Sequence, residues 1–145
     1  MEKENIENIS YNRAKEELDT YRLKLSEARV LAEEITKLER EISSAGGSVI
    51  PMPDGTVVNN LSTKIAYLTD LKDSLNKKLH EAEYSLLLID SRISKMEKEY
   101  THFLTLKYIC RVPSSVIAHH DGYSVSHVKR KLHEAVENYA TLYFS

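Results

Sequence analysis

The sequence contains few residues that interrupt helices and few that build disulfide or zinc sites. Its 145 residues include one Cys, three Pro, four Gly and no Trp. The single thiol, Cys110, cannot form an internal disulfide, and the usual cysteine set of a structural zinc site is missing, which favours a reducing cytoplasm. Few breakers indicate few turns, so a chain with prominent Leu, Glu, Lys and Ala predicts an all-α fold with long helices.

Long apolar runs and a large excess of one charge are also missing. No apolar run is long enough to span a bilayer, and the start MEKENIENIS has no apolar segment typical of a signal peptide, so no membrane partner is expected. The net charge of -2 gives the whole chain no attraction to nucleic acid. A nucleic-acid partner must therefore be bound by a local cationic patch.

Apolar residues recur at steps of three and four in two long segments, which is the period of a coiled coil. The first stripe predicts a helix over about 10–44 and comprises Tyr11, Ala14, Leu18, Tyr21, Leu25, Ala28, Ala32, Ile35, Leu38 and Ile42. The second predicts a helix over about 61–99, capped by Asn60 or Ser62, and comprises Leu61, Ile65, Leu68, Leu71, Leu75, Leu79, Ala82, Leu86, Ile89, Ile93, Met96 and Tyr100.

Between the two stripes, the segment GGSVIPMPDGTVVNN predicts a loop over 45–60, because Gly, Pro and Asp-Gly interrupt helices. The two helices are predicted to form a long antiparallel hairpin, coiled-coil-like, although each helix alone suits pairing with another chain equally well. Residues 1–99 are therefore interpreted as an assembly region, and a homo-oligomer is expected.

The last part of the chain, 100–145, predicts three short helices over 103–109, about 114–120 and 125–143. Pro113 separates the first two and Gly122 the last two. This is the order of a small helix-turn-helix domain, with Ile117 and Ala118 packed, Gly122 in the turn and Ser124 as the N-cap. The apolar side of the last helix is expected to face the core with Val128, Leu132, Ala135, Val136 and Tyr139.

The other side of that last helix is cationic and rich in hydrogen-bonding groups. Residues 100–145 hold five Lys or Arg against three acidic residues, and five of the six histidines. Arg130 is expected to contact a base, since a guanidinium binds both acceptors of guanine, whereas Lys129 and Lys131 are expected to contact phosphates. The predicted DNA-binding residues are Ser124, Ser126, His127, Lys129, Arg130, Lys131 and His133.

A set of residues spread over roughly 100–145 carries a resemblance to a known family, without a gap. The set comprises Leu104, Leu106, Lys107, Tyr108, Ile109, Ile117, Ala118, Gly122, Tyr123, Ser124, Val128, Arg130, Glu134 and Ala135. In these residues the stretch resembles the helix-turn-helix of sigma factor region 4, and more closely the sigma-like domain of phage and prophage transcriptional regulators of the ArpU and RinA type.

The resemblance implies a regulator that binds a promoter or operator of phage genes, through or beside bacterial RNA polymerase, in the cytoplasm of the host cell. It also implies that the recognition helix begins at Ser124. The chain departs from the family at Asp121, where an apolar residue is usual and where a buried carboxylate needs a partner. Val125, Ser115 and Val116 are departures as well.

No enzyme, cofactor or metal site is predicted. The adjacent His119 and His120 point about 100° apart on a helix, which makes a poor chelate. Cys110 is interpreted as a small half-buried residue, because no His and Asn arrangement indicates a nucleophile. Phosphate-binding glycine loops and nucleophile elbows do not occur in the sequence.

The main functional hypothesis is therefore a sequence-specific transcription regulator that binds double-stranded DNA. Arg130→Ala is expected to abolish sequence preference, and Lys131→Ala to weaken binding to all sequences. One alternative is an interaction module that binds RNA polymerase or another regulator without DNA contact. A small terminase subunit is a weaker alternative.

Overall fold

The computed structural model describes the backbone of residues 2–47 and 56–145, and the side chains of residues 5, 7–45 and 62–145. These residues form helices without any strand, which confirms the predicted all-α fold. The elements are α1 (Glu2–Gly47), α2 (Thr56–Ser94), α3 (Lys98–Leu104), a π-helical turn (Thr105–Ile109), α4 (Ser114–Asp121) and α5 (Val125–Tyr143). Among the described helices, none combines the length and apolarity needed to cross a bilayer.

The chain divides into two compact units. The larger unit combines Met1–Lys24 with Ser85–Ser145, and the smaller unit is Leu25–Tyr84. Both α1 and α2 contribute residues to each unit. These units follow a different division from the predicted regions 1–99 and 100–145, and whether 100–145 works as a separate DNA-binding domain stays a prediction.

The long helices extend further towards the predicted loop than expected. Since α1 continues to Gly47 and α2 already begins at Thr56, Asn60 and Ser62 lie inside α2, and the prediction that one of them caps it was wrong. Residues 48–55 of the predicted loop lie outside the described residues, and the flanking parts of 45–60 are helical. The long α1 is compatible with the predicted hairpin.

The buried stripe of the smaller unit differs from the predicted one at one position on each long helix. On α1 it contains Leu31, which is 8% exposed, whereas Ala32 is exposed. On α2, Leu71 is 38% exposed, and the half-buried Lys72 occupies the stripe and pairs with Glu39 at 3.4 Å. The predicted stripe was wrong at Ala32 because two successive steps of three fall before Leu31 and not, as predicted, before Leu38. It was wrong at Leu71 because the structure keeps the alternation of four and three through Lys72, whereas the prediction chose the apolar neighbour.

In the larger unit, α1 and α2 run antiparallel around a partly buried polar contact. Both oxygens of Glu17 accept hydrogen bonds of 2.8 Å from Nη1 of Arg92, and Tyr21 Oη donates to Asp90 at 3.2 Å. Tyr21 follows Glu17 on α1, whereas its partner Asp90 precedes Arg92 on α2, as expected for antiparallel helices. The hydroxyl of Tyr139 on α5 also donates to Glu17, at 2.6 Å. The end of α5 is thereby fixed to both long helices.

The connection from α2 to α4 differs from the prediction in its boundaries. Because α2 ends at Ser94, the predicted end at about residue 99 was wrong. The predicted helix 103–109 corresponds to the last two residues of α3 and the π-helical turn that follows. The hydroxyl of Thr101 on α3 donates a hydrogen bond of 2.8 Å to Ile93 O, near the end of α2. This bond links the two helices across the break between them. Cys110 is exposed rather than half-buried, and Arg111 follows it with a left-handed φ of 57°.

Candidate nucleic-acid interface

The bounds of α4, the turn after it and the start of α5 are set by residues with strong backbone or capping preferences. Pro113 precedes α4 with φ of -61°, and Gly122 ends α4 with φ of 75°, in the left-handed region that L side chains rarely adopt. The backbone N–H of Tyr123 then donates to Ala118 O at 2.9 Å. Ser124 caps α5 by accepting a hydrogen bond of 3.1 Å from the backbone N–H of His127. The predicted turn and cap are confirmed.

A small apolar core holds these helices together. It contains Phe103 from α3, Ile117 and Ala118 from α4, and Val128 and Leu132 from α5, all at most 8% exposed. Further along α5, Ala135, Val136 and Tyr139 are buried too. The predicted apolar side of α5 is therefore confirmed, and the opposite side of its first turns is directed away from this core.

The exposed side of the first turns of α5 carries hydroxyl and cationic groups. Ser126, Lys129 and Arg130 are exposed, and Ser124 precedes them at the cap. The first turn contains no acidic residue. A helix N-terminus with neighbouring Lys and Arg favours anions, because the first N–H groups and the helix dipole carry partial positive charge. We call Ser124, Ser126, His127, Lys129 and Arg130 the α5 face.

His127 connects two other side chains of this surface. Its ring lies against Tyr123, with centroids 4.4 Å apart and an interplanar angle of 37°. Nη2 of Arg130 lies 3.0 Å from Nδ1 of His127. The sequence placed His127 only on the flank of the cationic side, and this contact between positions three apart was not expected from it.

Lys131 lies away from the α5 face. Its ammonium group pairs with Glu99 at 3.3 Å and with Glu134 at 3.5 Å, and 24% of its side chain is exposed. The hydrogen bond with Glu99 raises the pKa of Lys131, and the negative charge of Glu134 adds to this effect. The predicted phosphate contact of Lys131 therefore competes with two carboxylates.

His133 is engaged by α1, although it lies near the α5 face along the helix. Its Nδ1 is 3.0 Å from Tyr11 Oη, its Nε2 is 2.6 Å from a Glu137 oxygen, and its ring lies 4.7 Å from the Tyr11 ring. Burial and the charge of Glu137 raise the pKa of Tyr11. Both ring nitrogens of His133 are occupied, so the structure separates this residue from the other predicted DNA contacts.

Asp121 has the partners that a carboxylate at this position needs. Only 12% of its side chain is exposed, and its two oxygens lie 2.9 Å from Nδ1 of His120 and 2.8 Å from Nε2 of His102. Since an ionised carboxylate only accepts hydrogen bonds, both imidazoles donate. These hydrogen bonds, that of His120 first, lower the pKa of Asp121. Asp121, where the chain departs from the sigma-like pattern, thus links α4 to α3 through His102.

The described residues define an all-α protein in which a capped helix follows a left-handed glycine turn and presents a cationic face. Among the described side chains, those of residues 5, 7–45 and 62–145, no group of three or more His, Cys, Asp or Glu is arranged to hold a metal ion. Comparison with models of protein families, with curated proteins and with solved structures gave no match to this chain.

Proposed function

We propose that this protein is a sequence-specific DNA-binding regulator of transcription, and that the α5 face enters the major groove. The observation that carries this proposal is the exposure of Ser126, Lys129 and Arg130 on the side of α5 opposite its buried residues. A recognition helix needs an apolar side that fixes it to the core and a polar side that contacts base edges and phosphates. The first turns of α5 have both.

The proposed target is a promoter or operator of phage or prophage genes. The support for this part is the resemblance to sigma-like domains at Gly122, Tyr123, Ser124 and Arg130, residues that lie in the turn and the first turns of α5. Bacterial RNA polymerase is the protein partner that the same resemblance implies, and the host cytoplasm is the corresponding location.

Self-association belongs to the proposal for a physical reason. One small recognition helix makes few phosphate contacts, whereas two linked copies bind two half-sites with a much higher combined affinity. Sedimentation equilibrium of the full chain, with and without duplex, tests this part. A monomer at all concentrations in both states contradicts it.

A binding assay with duplex DNA tests the main proposal. The full chain is titrated with a labelled duplex selected by the protein from a randomised pool, and with a scrambled duplex, at two salt concentrations. The affinity is expected to fall steeply with salt for both duplexes, because bound Lys and Arg release counterions, and to be higher for the selected one. Equal and salt-independent binding of both duplexes contradicts the proposal.

A protein-interaction module is the second candidate, and exposed apolar side chains favour it. Val116, Tyr123 and Val125, on α4, the turn and the start of α5, are 52%, 49% and 39% exposed. Apolar groups of this kind suit contact with a protein better than contact with phosphates. Direct titration against purified bacterial RNA polymerase without DNA tests this candidate, with Tyr123→Ser as the variant expected to lose binding.

A further inference from the structure

We infer that His127 is a positioning residue that orients Arg130 for guanine, so that the two together determine which base is read. The inference rests on the proposed DNA binding and deepens it. It follows from the hydrogen bond between the two side chains, because that bond fixes which nitrogen of the imidazole carries the proton.

The direction of this hydrogen bond is unambiguous. A guanidinium group has five N–H donors and no acceptor, so Arg130 Nη2 donates and His127 Nδ1 accepts across 3.0 Å. An imidazole nitrogen that accepts carries no proton. His127 is therefore neutral in this arrangement, and its proton is on Nε2.

The imidazole is also held by a second ring, since the centroid of Tyr123 lies 4.4 Å from its own. The backbone of His127 is fixed as well, because its N–H donates to the cap Ser124 at 3.1 Å. A ring fixed in this way restricts the rotamers of Arg130 before any ligand arrives. Ordering a long side chain in advance reduces the entropy cost of binding, so the contact favours recognition by Arg130.

The pair then presents only donors to a ligand. Arg130 retains N–H groups beyond the one bound to His127, and Nε2–H of His127 has no hydrogen-bond partner within the described residues. Guanine offers two acceptors, N7 and O6, at the edge of the major groove, whereas adenine places its N6 donor beside N7. A surface made of donors therefore matches guanine and opposes adenine.

Two substitutions at position 127 separate the roles of the two imidazole nitrogens. In His127→Asn, the amide oxygen can occupy the place of Nδ1 and accept from Arg130. In His127→Gln, the longer side chain places an amide near Nε2 and leaves the place of Nδ1 without an acceptor. His127→Ala removes both groups, and His80→Asn changes an exposed histidine of α2 as the matched control.

The experiment uses the full chain and a duplex that the wild-type protein selects from a randomised pool. Affinities are measured for this duplex and for copies in which each guanine is exchanged for adenine, with the paired base changed accordingly. At one position the wild-type protein is expected to lose roughly tenfold in affinity, the discrimination typical of a two-donor contact with guanine. Arg130→Ala, His127→Ala and His127→Gln are expected to lose this discrimination. His127→Asn and His80→Asn are expected to keep it.

The outcomes distinguish this inference from the proposed function. If Arg130→Ala loses the discrimination while His127→Ala keeps it, the positioning role is overturned and DNA recognition stands. If His127→Asn fails to restore what His127→Ala loses, the role of Nδ1 is overturned. If the wild-type protein selects no duplex from the pool, the proposed sequence-specific DNA binding is itself contradicted. Rescue by His127→Asn alone supports the inference, since a general loss of folding does not depend on one acceptor atom.

Discussion

The hydroxyl of Tyr139 donates a 2.6 Å hydrogen bond to Glu17, a residue 122 positions earlier in the chain. Tyr139 is fully buried, and both oxygens of the carboxylate that it meets also accept hydrogen bonds from Arg92. Burial, together with the Glu17 carboxylate, raises the pKa of Tyr139. The second half of α5 is therefore held by both long helices, whereas its first turns stay exposed.

Removing this hydroxyl is expected to destabilise the larger unit. Tyr139→Phe keeps the ring but leaves one carboxylate interaction unmade, which should lower the free energy of unfolding by about 1–2 kcal/mol. Urea denaturation of the full chain measures the change. Tyr84→Phe, at a tyrosine that is 67% exposed, is the matched control and should not differ from wild type. Equal stability of Tyr139→Phe and wild type contradicts the prediction.

Substitution of Gly122 should reveal the cost of its left-handed backbone. A Cβ at this position meets no atom within 4 Å, so Gly122→Ala is penalised by the φ of 75° alone. An L residue in this region costs about 1–2 kcal/mol, and Asn tolerates it better than Ala. We expect the midpoint of urea unfolding to fall in the order wild type, Gly122→Asn, Gly122→Ala. An Ala variant at least as stable as the Asn variant would rule out this explanation.

Acid is expected to remove the stabilisation that Asp121 provides. Its folded pKa lies below the usual 3.8, because His120 and His102 donate hydrogen bonds to the ionised form. The contribution is therefore complete above the unfolded pKa and is lost as the pH falls through the lowered folded value, below about pH 4. Thermal melts from about pH 6 to pH 3 should show a steeper loss for wild type than for Asp121→Asn. Asp73→Asn, at an exposed aspartate of α2, should follow the wild-type curve.

The two neighbouring lysines should differ in their effect on salt dependence. Lys129 is exposed on the α5 face, whereas Lys131 is bound by Glu99 and Glu134. If Lys129 contacts a phosphate, Lys129→Ala should reduce the slope of log affinity against log salt by about 1. Lys131→Ala should leave this slope unchanged. If Lys131→Ala reduces the slope and Lys129→Ala does not, the prediction is contradicted. Lys131 then makes the phosphate contact, as the sequence alone also predicted.

Local signals in the sequence were sufficient for the second and third helices of the C-terminal region. Val125–Tyr143 was predicted with its observed bounds, because Ser124 is a strong N-cap and Gly122 suits a left-handed turn. The apolar side of α5 was also correct, since a stripe at helical spacing depends only on the helix itself. These features involve residues within a few positions of one another.

The features that were missed involve residues far apart in the chain. A helical wheel correctly places His133 on the exposed side of α5, but it contains no information about Tyr11, whose hydroxyl lies 3.0 Å from that histidine. The partner of Asp121 on α3, His102, is 19 residues away and has no sequence signature. The π-helical turn at Thr105–Ile109 likewise had no signal in the sequence and was predicted as an ordinary helix.

The contact between Ser10 and the carbonyl of Phe144, 3.0 Å long, brings opposite regions of the sequence together. During synthesis, the first turns of α1 leave the ribosome long before the residues against which they pack. The larger unit can therefore close only after Phe144 has emerged, and until then the buried side of early α1, including Leu18, is open to chaperones and to other nascent chains.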